Sequence, residues 1–161
     1  LEFRRVLFRS NWDRFFTKEV PADKKGRRDY AREILKRFAD KAYRRPVDNR
    51  TVDRLVNLAE SIYAQPGKRF EDGIAEAMKP VLASPRFLFR IEETEPAVNS
   101  KKHPLVDEYA LASRLSYFLW STMPDEELFR LASKHELRKN LNAQVQRLLA
   151  DNRAEIGRAH V

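Results

Sequence analysis

The chain has 161 residues, no cysteine and a formal net charge of +8 at neutral pH. The absence of cysteine excludes a disulfide framework, a thiolate metal site and covalent attachment of a c-type haem within this sequence. Basic and acidic side chains are interspersed, which favours a solvated basic surface over a nucleic-acid groove. No signal peptide is visible, and the longest apolar run, Tyr109–Trp120, is too short to span a bilayer.

Both ends of the chain match the translation of a single oligonucleotide. Residues 1–10 read LEFRRVLFRS, which the codons CTG GAG TTC AGA CGT GTG CTC TTC CGA TCT encode, and that string is similar to a common sequencing-library adapter. Residues 155–161 read EIGRAHV, which one extra G followed by the reverse complement of the same string encodes before a stop codon. We therefore expect both segments to be translated adapter in a metagenomic sequence, and they are excluded from fold prediction.

The interior pattern predicts an all-α fold, with a small helical bundle and a truncated second helical unit. Residues 11–27 start with Trp12, Phe15 and Phe16 and then become polar, so we expect them to be the tail of a preceding element that has lost its packing partners. Residues 28–92 form the predicted first domain.

The first two helices of this domain have clear boundaries. Apolar residues recur every fourth position over Tyr30–Ala42 and predict a helix from about residue 28, which Pro46 ends. Asp48 or Thr51 caps the second helix, and Pro66-Gly67 terminates it.

Two further helices complete the first domain. The third is predicted from about Phe70, with Pro80 expected to kink it. Ser84-Pro85 supplies an N-cap and a first helical position, which predicts a short helix through Phe87, Leu88, Phe89 and Ile91.

Residues 93–104 have no apolar period and contain two prolines, so they predict a linker. The second helical domain covers residues 105–154. It is predicted to contain a helix from about Leu105, a helix started by Pro124–Glu127, and a last helix over Asn140–Ala150. The expected inward face of the first of these consists of Tyr109, Leu111, Ala112, Leu115, Phe118 and Leu119.

Two stretches resemble a pair of known families. Phe38–Glu92 contains AYRRPV and LASPRFLFR, and Glu108–Ala154 contains LASRLSYFLWSTMPD. In this order they resemble the planctomycete-type domains of unknown function fifteen ninety-five and fifteen ninety-two. The resemblance implies a large periplasmic, cell-envelope or secreted protein in which these domains accompany c-type cytochrome domains. It implies no reaction and no catalytic residue. Haem c would then belong elsewhere in the full-length protein, and no cofactor is expected in this piece.

Four arginines are the candidate anion or partner contacts, because each lies within or beside an apolar motif. They are Arg44, Arg45, Arg90 and Arg114. A guanidinium in such a place can clamp a carboxylate or another anion. The favoured interpretation is structural, since buried arginine is normally ion-paired. For Arg114, which we expect to be mostly buried, the carboxylate partners considered are Glu92, Asp107 and Glu108.

The remaining chemistry-bearing residues indicate no site. His103 and His135 have no partner at metal-ligand spacing. Met123 could ligate a haem, but it is expected to pack in the core. Tyr117 and Trp120 could stack on a sugar or base, although aromatic residues at helical spacing are usually core residues.

The leading hypothesis is a non-catalytic structural or interaction module of a multidomain envelope or secreted protein, because no active site is recognisable. One alternative is part of an enzyme, acting on polysaccharide, whose site is completed outside this sequence. Another is a basic nucleic-acid-binding domain. The expected partners are other domains of the same protein, with self-association through an exposed face of the truncated unit. No nucleic-acid partner and no membrane span are expected.

Overall fold

A computed structural model describes residues 15–89, 91–94 and 104–154. Within these ranges the regular structure consists of seven α-helices and no strand, which confirms the predicted all-α class. A single isolated antiparallel bridge joins Thr94 to Val106.

The chain divides into two compact units between Leu88 and Phe89. We call the part before this division unit 1 and the part after it unit 2. The division lies earlier in the chain than the predicted end of the first domain at residue 92. Glu93, predicted to start the linker, accepts a hydrogen bond from the Asp107 backbone at 2.9 Å within unit 2.

Unit 1 contains α1 (Lys24–Tyr43), α2 (Asn49–Tyr63), α3 (Phe70–Leu82) and α4 (Pro85–Leu88). The first helix begins earlier than the predicted residue 28, because Asp23 caps it by accepting the Gly26 N–H at 2.7 Å. Asp48, one of the two predicted caps, accepts the Thr51 N–H at 2.7 Å and starts α2. Pro80 lies inside α3, near its carboxyl end.

The core of unit 1 lies where α1, α2 and α3 pack on one another. Its largest fully buried side chains are Ile34, Leu35, Ile74, Val52, Val56 and Val81. Gly73 allows α3 to approach α2 closely, since a Cβ at this position would lie only 2.5 Å from the carbonyl oxygen of Ala59.

The segment before α1 has packing partners in unit 1, contrary to the prediction made for its aromatic residues. The ring of Phe15 lies 6.1 Å from that of Phe38, and the ring of Phe16 lies 6.3 Å from that of Phe70, both edge to face. Edge-to-face contacts at these distances are favourable. The sequence pattern missed them because the segment has no helical period of its own.

Unit 2 contains α5 (Glu108–Trp120), α6 (Glu126–Ser133) and α7 (Leu141–Leu149). Aspartates cap the first two: Asp107 accepts the Ala110 N–H at 2.7 Å, and Asp125 accepts the Leu128 N–H at 3.0 Å. The buried cluster of this unit consists of Ala112, Trp120, Leu128, Leu131, Ala132, Leu137, Leu148 and Ala154.

The predicted inward face of α5 is wrong at Phe118, which is 84% exposed. The helix buries Glu108, Ala112, Ser116 and Trp120, which recur every fourth residue. Phe118 lies two residues from Ser116 and therefore points to nearly the opposite side. The buried side of the helix is formed by Ala112, Ser116 and Trp120, and Phe118 lies outside it.

Two other predictions differ from the structure. Met123, expected in the core, is 41% exposed. The short helix predicted through Ile91 is shorter than expected, because α4 ends at Leu88. Leu88, Phe89 and Ile91 are all exposed.

Candidate functional site

Arg44 connects the end of α1 to α4. It adopts a left-handed backbone conformation, with φ of 58°, and its side chain is almost completely buried. Its Nη2 donates to the carbonyl oxygens of Arg86 at 2.9 Å and Phe87 at 3.4 Å. The carbonyls of a one-turn helix have no partners within the helix, so a buried guanidinium satisfies them. Arg44 therefore has a structural role.

The second candidate in this region, Arg45, lies in the turn after α1. Arg45 is half-buried, and its backbone N–H donates to Asp40 at 3.1 Å in the turn after α1. Arg90 lies outside the described residues. The structure thus places Arg44 and Arg45 in unit 1, and it places Arg114 in unit 2.

Arg114 forms a two-pronged ion pair with Glu92, one of its predicted partners. Its Nε and Nη2 donate to the two carboxylate oxygens at 2.6 and 2.5 Å. Hydrogen bonding to this carboxylate raises the pKa of Arg114. The expectation that Arg114 is mostly buried is wrong, since its side chain is 58% exposed. It lies one turn before Phe118 on the outward side of α5.

Glu108 is a buried carboxylate that the sequence did not single out as a site. It is only 4% exposed, and its oxygens accept the Arg138 backbone N–H at 3.1 and 3.3 Å. The Arg138 guanidinium donates to the Val106 carbonyl at 2.6 Å. Glu108 at a helix start normally indicates an exposed first-turn acid, so no sequence pattern pointed to this burial.

Trp120 is buried in the core of unit 2, and the guanidinium groups of Arg147 and Arg153 lie over its ring. Its indole N–H donates to the Leu148 carbonyl at 2.8 Å, and the guanidinium carbon of Arg153 lies 3.5 Å from its ring centroid. A cation at this distance from an indole is favourable. Trp120 is therefore a core residue, as expected for an aromatic residue at helical spacing. It does not form a stacking surface for a ligand.

Two carboxylates fix the arginines around this indole. Hydrogen bonds from Arg153 lower the pKa of Asp151 to about 2. Burial acts to raise the pKa of Asp125, but hydrogen bonds from Arg147 and from the Leu128 backbone outweigh it, and the net shift is downward. Both groups thus remain ionised well below neutral pH.

Unit 1 also contains an open cleft of about 520 Å³ between the start of α1 and the end of α2. The residues that line it are Lys24, Arg27, Asn57, Glu60, Ser61, Tyr63 and Ala64. The carboxylate of Glu60 binds Lys24 at 3.4 Å and also pairs with Arg28.

Two polar atoms in residues that line this cleft lack hydrogen-bond partners. They are Nε of Arg27 and the hydroxyl oxygen of Tyr63, and both are shielded from solvent. Burial, with a smaller contribution from Glu60, raises the pKa of Tyr63, so its hydroxyl remains a proton donor at neutral pH. The sequence displayed this basic cluster, but it gave no indication that Tyr63 lies beside it.

In the described part of the chain, no group of three or more histidine, cysteine, aspartate or glutamate side chains could hold a metal ion. None of the helices described is long and apolar enough to cross a membrane.

Two family models match the chain, one mainly over unit 1 and the other over unit 2. Residues 30–92 match the model of a family described as protein of unknown function (DUF1595), and residues 106–158 match the one described as protein of unknown function (DUF1592). The two matches follow each other in this order along the chain. The predicted family pair is therefore confirmed. No curated protein and no solved structure matches the chain significantly.

The DUF1595 match includes α2, α3, α4 and most of α1, and it continues past the division at Leu88. Arg44 and the Arg86 carbonyl that it binds both lie inside this match. The DUF1592 match covers all three helices of unit 2 and runs into the segment predicted to be adapter. Neither description assigns an activity, so function has to be argued from the side chains themselves.

Proposed function

We propose that this chain is a non-catalytic structural and interaction module, whose helical units present apolar side chains to neighbouring domains of a larger protein. The observation that carries the proposal is Phe118, the most exposed of the large apolar side chains described. A phenylalanine on the outer side of a short helix loses the free energy of burial unless a partner covers it.

The geometry of the charged residues supports a scaffold. Arg44 binds backbone carbonyls, Arg114 binds Glu92, and Arg147 binds Asp125 at 2.6 Å. Each of these arginines fixes one structural element against another in its own unit. Guanidinium groups used in this way orient helices and loops instead of meeting a reacting group.

The experiment places Phe118→Ser in the complete protein that contains this chain. Limited proteolysis should show faster cleavage between its domains, while circular dichroism of the isolated chain stays unchanged because no core contact is lost. Leu149→Ser is the matched control, since Leu149 is also a partly exposed apolar helix residue. Equal cleavage rates in Phe118→Ser and the unmodified protein would refute a docking role for this side chain.

The same variant tests self-association through this face. Sedimentation velocity on the isolated chain should show a smaller oligomeric fraction for Phe118→Ser than for the unmodified protein. An oligomeric fraction that does not change would remove Phe118 from the contact.

We further propose that the neighbouring domains include c-type cytochromes and that the complete protein functions in the periplasm, the cell envelope or outside the cell. The support is the chain's resemblance to the DUF1595 and DUF1592 pair of families, which implies domains that accompany c-type cytochrome domains. Haem c would be bound by those other domains. A haem stain and the reduced-minus-oxidised absorbance spectrum of the complete protein test this, and a spectrum without haem bands would refute it.

We also propose that residues 1–10 and 155–161 are translated adapter, because both ends match one oligonucleotide in its two orientations. Resequencing the source DNA across both junctions, with a library built on a different adapter, tests the proposal. Recovery of the same codons would refute it.

A further inference from the structure

We infer that the cleft at the start of α1 in unit 1 binds a small oxyanion, a carboxylate or a phosphate, through Arg27 and the Tyr63 hydroxyl. This is a binding site in addition to the proposed docking role. Its walls are already present in the unit, and it is independent of Phe118.

The first line of evidence is the pair of unsatisfied atoms. Nε of Arg27 and the hydroxyl of Tyr63 are buried without hydrogen-bond partners, and both residues line the same cleft. Buried polar groups are nearly always hydrogen-bonded, so two exceptions on one cleft require an explanation. Arg27 Nε–H can only donate, and the Tyr63 hydroxyl can donate. An oxygen-bearing acceptor satisfies both.

The second line of evidence is charge. The first turns of α1 carry Lys24, Lys25, Arg27 and Arg28 and contain no acid in the first turn. Cations at the amino end of a helix oppose the helix dipole, which favours anions there. Sequences that violate such a local rule often do so at functional sites. A bound anion would offset this repulsion.

The anions already present do not neutralise the cluster. Asp23 is engaged in capping, where it accepts the Gly26 N–H at 2.7 Å. Glu60 is shared between Lys24 and Arg28. Arg27 is the cation of the cleft wall whose Nε remains unused. The ligand would therefore be held by side chains and not by the free N–H groups of the helix terminus.

Access to the two donors requires a small side-chain movement. Both atoms are shielded from solvent, but Arg27 and Tyr63 are only half-buried and border an open cleft. Rotamer changes of this kind are common when ligands bind. The ring of Tyr63 stays anchored, because it packs against Phe70 with the ring centroids 5.4 Å apart.

The test is a calorimetric and NMR titration of the full chain with inorganic phosphate and, separately, with succinate. We expect saturable binding of at least one of them, with a Kd on the order of 1 mM. Binding of phosphate alone indicates a phosphate ester as the natural ligand, and binding of succinate alone indicates a carboxylate. Binding of both indicates a general oxyanion site. Absence of saturable binding by either would overturn the inference.

Arg27→Gln should weaken binding about tenfold, because it removes a charge-assisted hydrogen bond. Lys25→Gln is the matched control: it removes the same charge from the same turn, but Lys25 does not line the cleft. Its effect should be about twofold or less, since an exposed charge is screened. Equal losses in the two variants would show non-specific attraction and overturn the inference. If Arg27→Gln does not fold, Arg27→Lys, which keeps the charge and lacks Nε, replaces it.

Tyr63→Phe separates binding from folding. It should raise the melting temperature of the ligand-free chain, because it removes a buried hydroxyl without a partner. It should also weaken anion binding several-fold. A merely structural hydroxyl would lower the melting temperature on removal and leave binding unchanged, and either result would contradict the assigned role.

Discussion

Gly73 offers a quantitative test of how α2 and α3 pack. An alanine at this position would place its Cβ 2.5 Å from the Ala59 carbonyl oxygen and 2.8 Å from Cδ1 of Tyr63. Non-bonded heavy atoms are comfortable at about 3.5 Å, so the helices would have to separate by about 1 Å. The backbone oxygen of Ala59 belongs to a buried part of α2 and cannot rotate away.

Two effects of Gly73→Ala oppose each other. Alanine is the better helix former by about 1 kcal/mol. Overpacking a well-filled core costs about 1–3 kcal/mol, and the overlap with a fixed carbonyl lies toward the upper end of that range. We therefore expect Gly73→Ala to lower the free energy of unfolding by about 1–2 kcal/mol. For a domain of this size, that loss lowers the melting temperature by roughly 5–15 °C.

The measurement is urea denaturation combined with hydrogen exchange of the amides in α2 and α3. Ala75→Gly is the control, because Ala75 is exposed on the same helix and its replacement changes helix propensity alone. Ala75→Gly should lower the free energy of unfolding by about 1 kcal/mol. If Gly73→Ala instead raises the free energy of unfolding by about 1 kcal/mol, the substitution changes helix propensity and causes no overlap. The close approach of the two helices would then be refuted.

Three further predictions concern other parts of the chain. Arg44→Ala should lower the unfolding free energy of unit 1 by about 1–3 kcal/mol, because the α4 carbonyls lose their buried donor; chemical denaturation measures this, and Arg44→Lys should recover part of the loss. The pKa values of Asp125 and Asp151 are depressed, so the stability that they contribute is present above their usual pKa of 3.8 and is lost as pH falls below it, for Asp151 toward a pKa of about 2. Melting of unit 2 followed against pH should show this loss, and Asp125→Asn should reduce it. Deletion of residues 1–10 and 155–161 should change the melting temperature by less than a few degrees, on the order of 1 kcal/mol, and a larger drop in calorimetry would contradict the adapter interpretation.

Helix positions and their starts could be predicted from the sequence because local chemistry determines them. Asp48 and Asp125 cap helices through hydrogen bonds to backbone groups three residues away, so the relevant partners are adjacent in sequence. The apolar period over Tyr30–Ala42 likewise corresponds to a helix whose predicted inner face is largely buried. The family pair was identified from strings of neighbouring residues for the same reason.

Which side of a helix is buried could not be predicted reliably, because it depends on the partner helices. On α5 the apolar period suggested that Phe118 faces inward, but the neighbouring helices pack on the side of Ala112 and Ser116. Arg114 shows the same limit: its pairing with Glu92 could be anticipated from charge, but its exposure could not. The Tyr63 cleft was missed because it joins the start of α1 to the end of α2, and these two segments are far apart in the sequence.

The contact of Arg44 with α4 changes how the most recognisable strings of the DUF1595 domain should be interpreted. AYRRPV contributes Arg44, and LASPRFLFR contributes the carbonyls that it binds. The two strings also meet where the Arg86 guanidinium lies 5.9 Å from the Tyr43 ring centroid. The two strings thus form one set of structural contacts, which holds α4 against the end of α1 near the last residues of unit 1. A search for catalytic motifs that started from these two strings would therefore find residues with a structural role. Candidate catalytic residues should be sought elsewhere in the sequence.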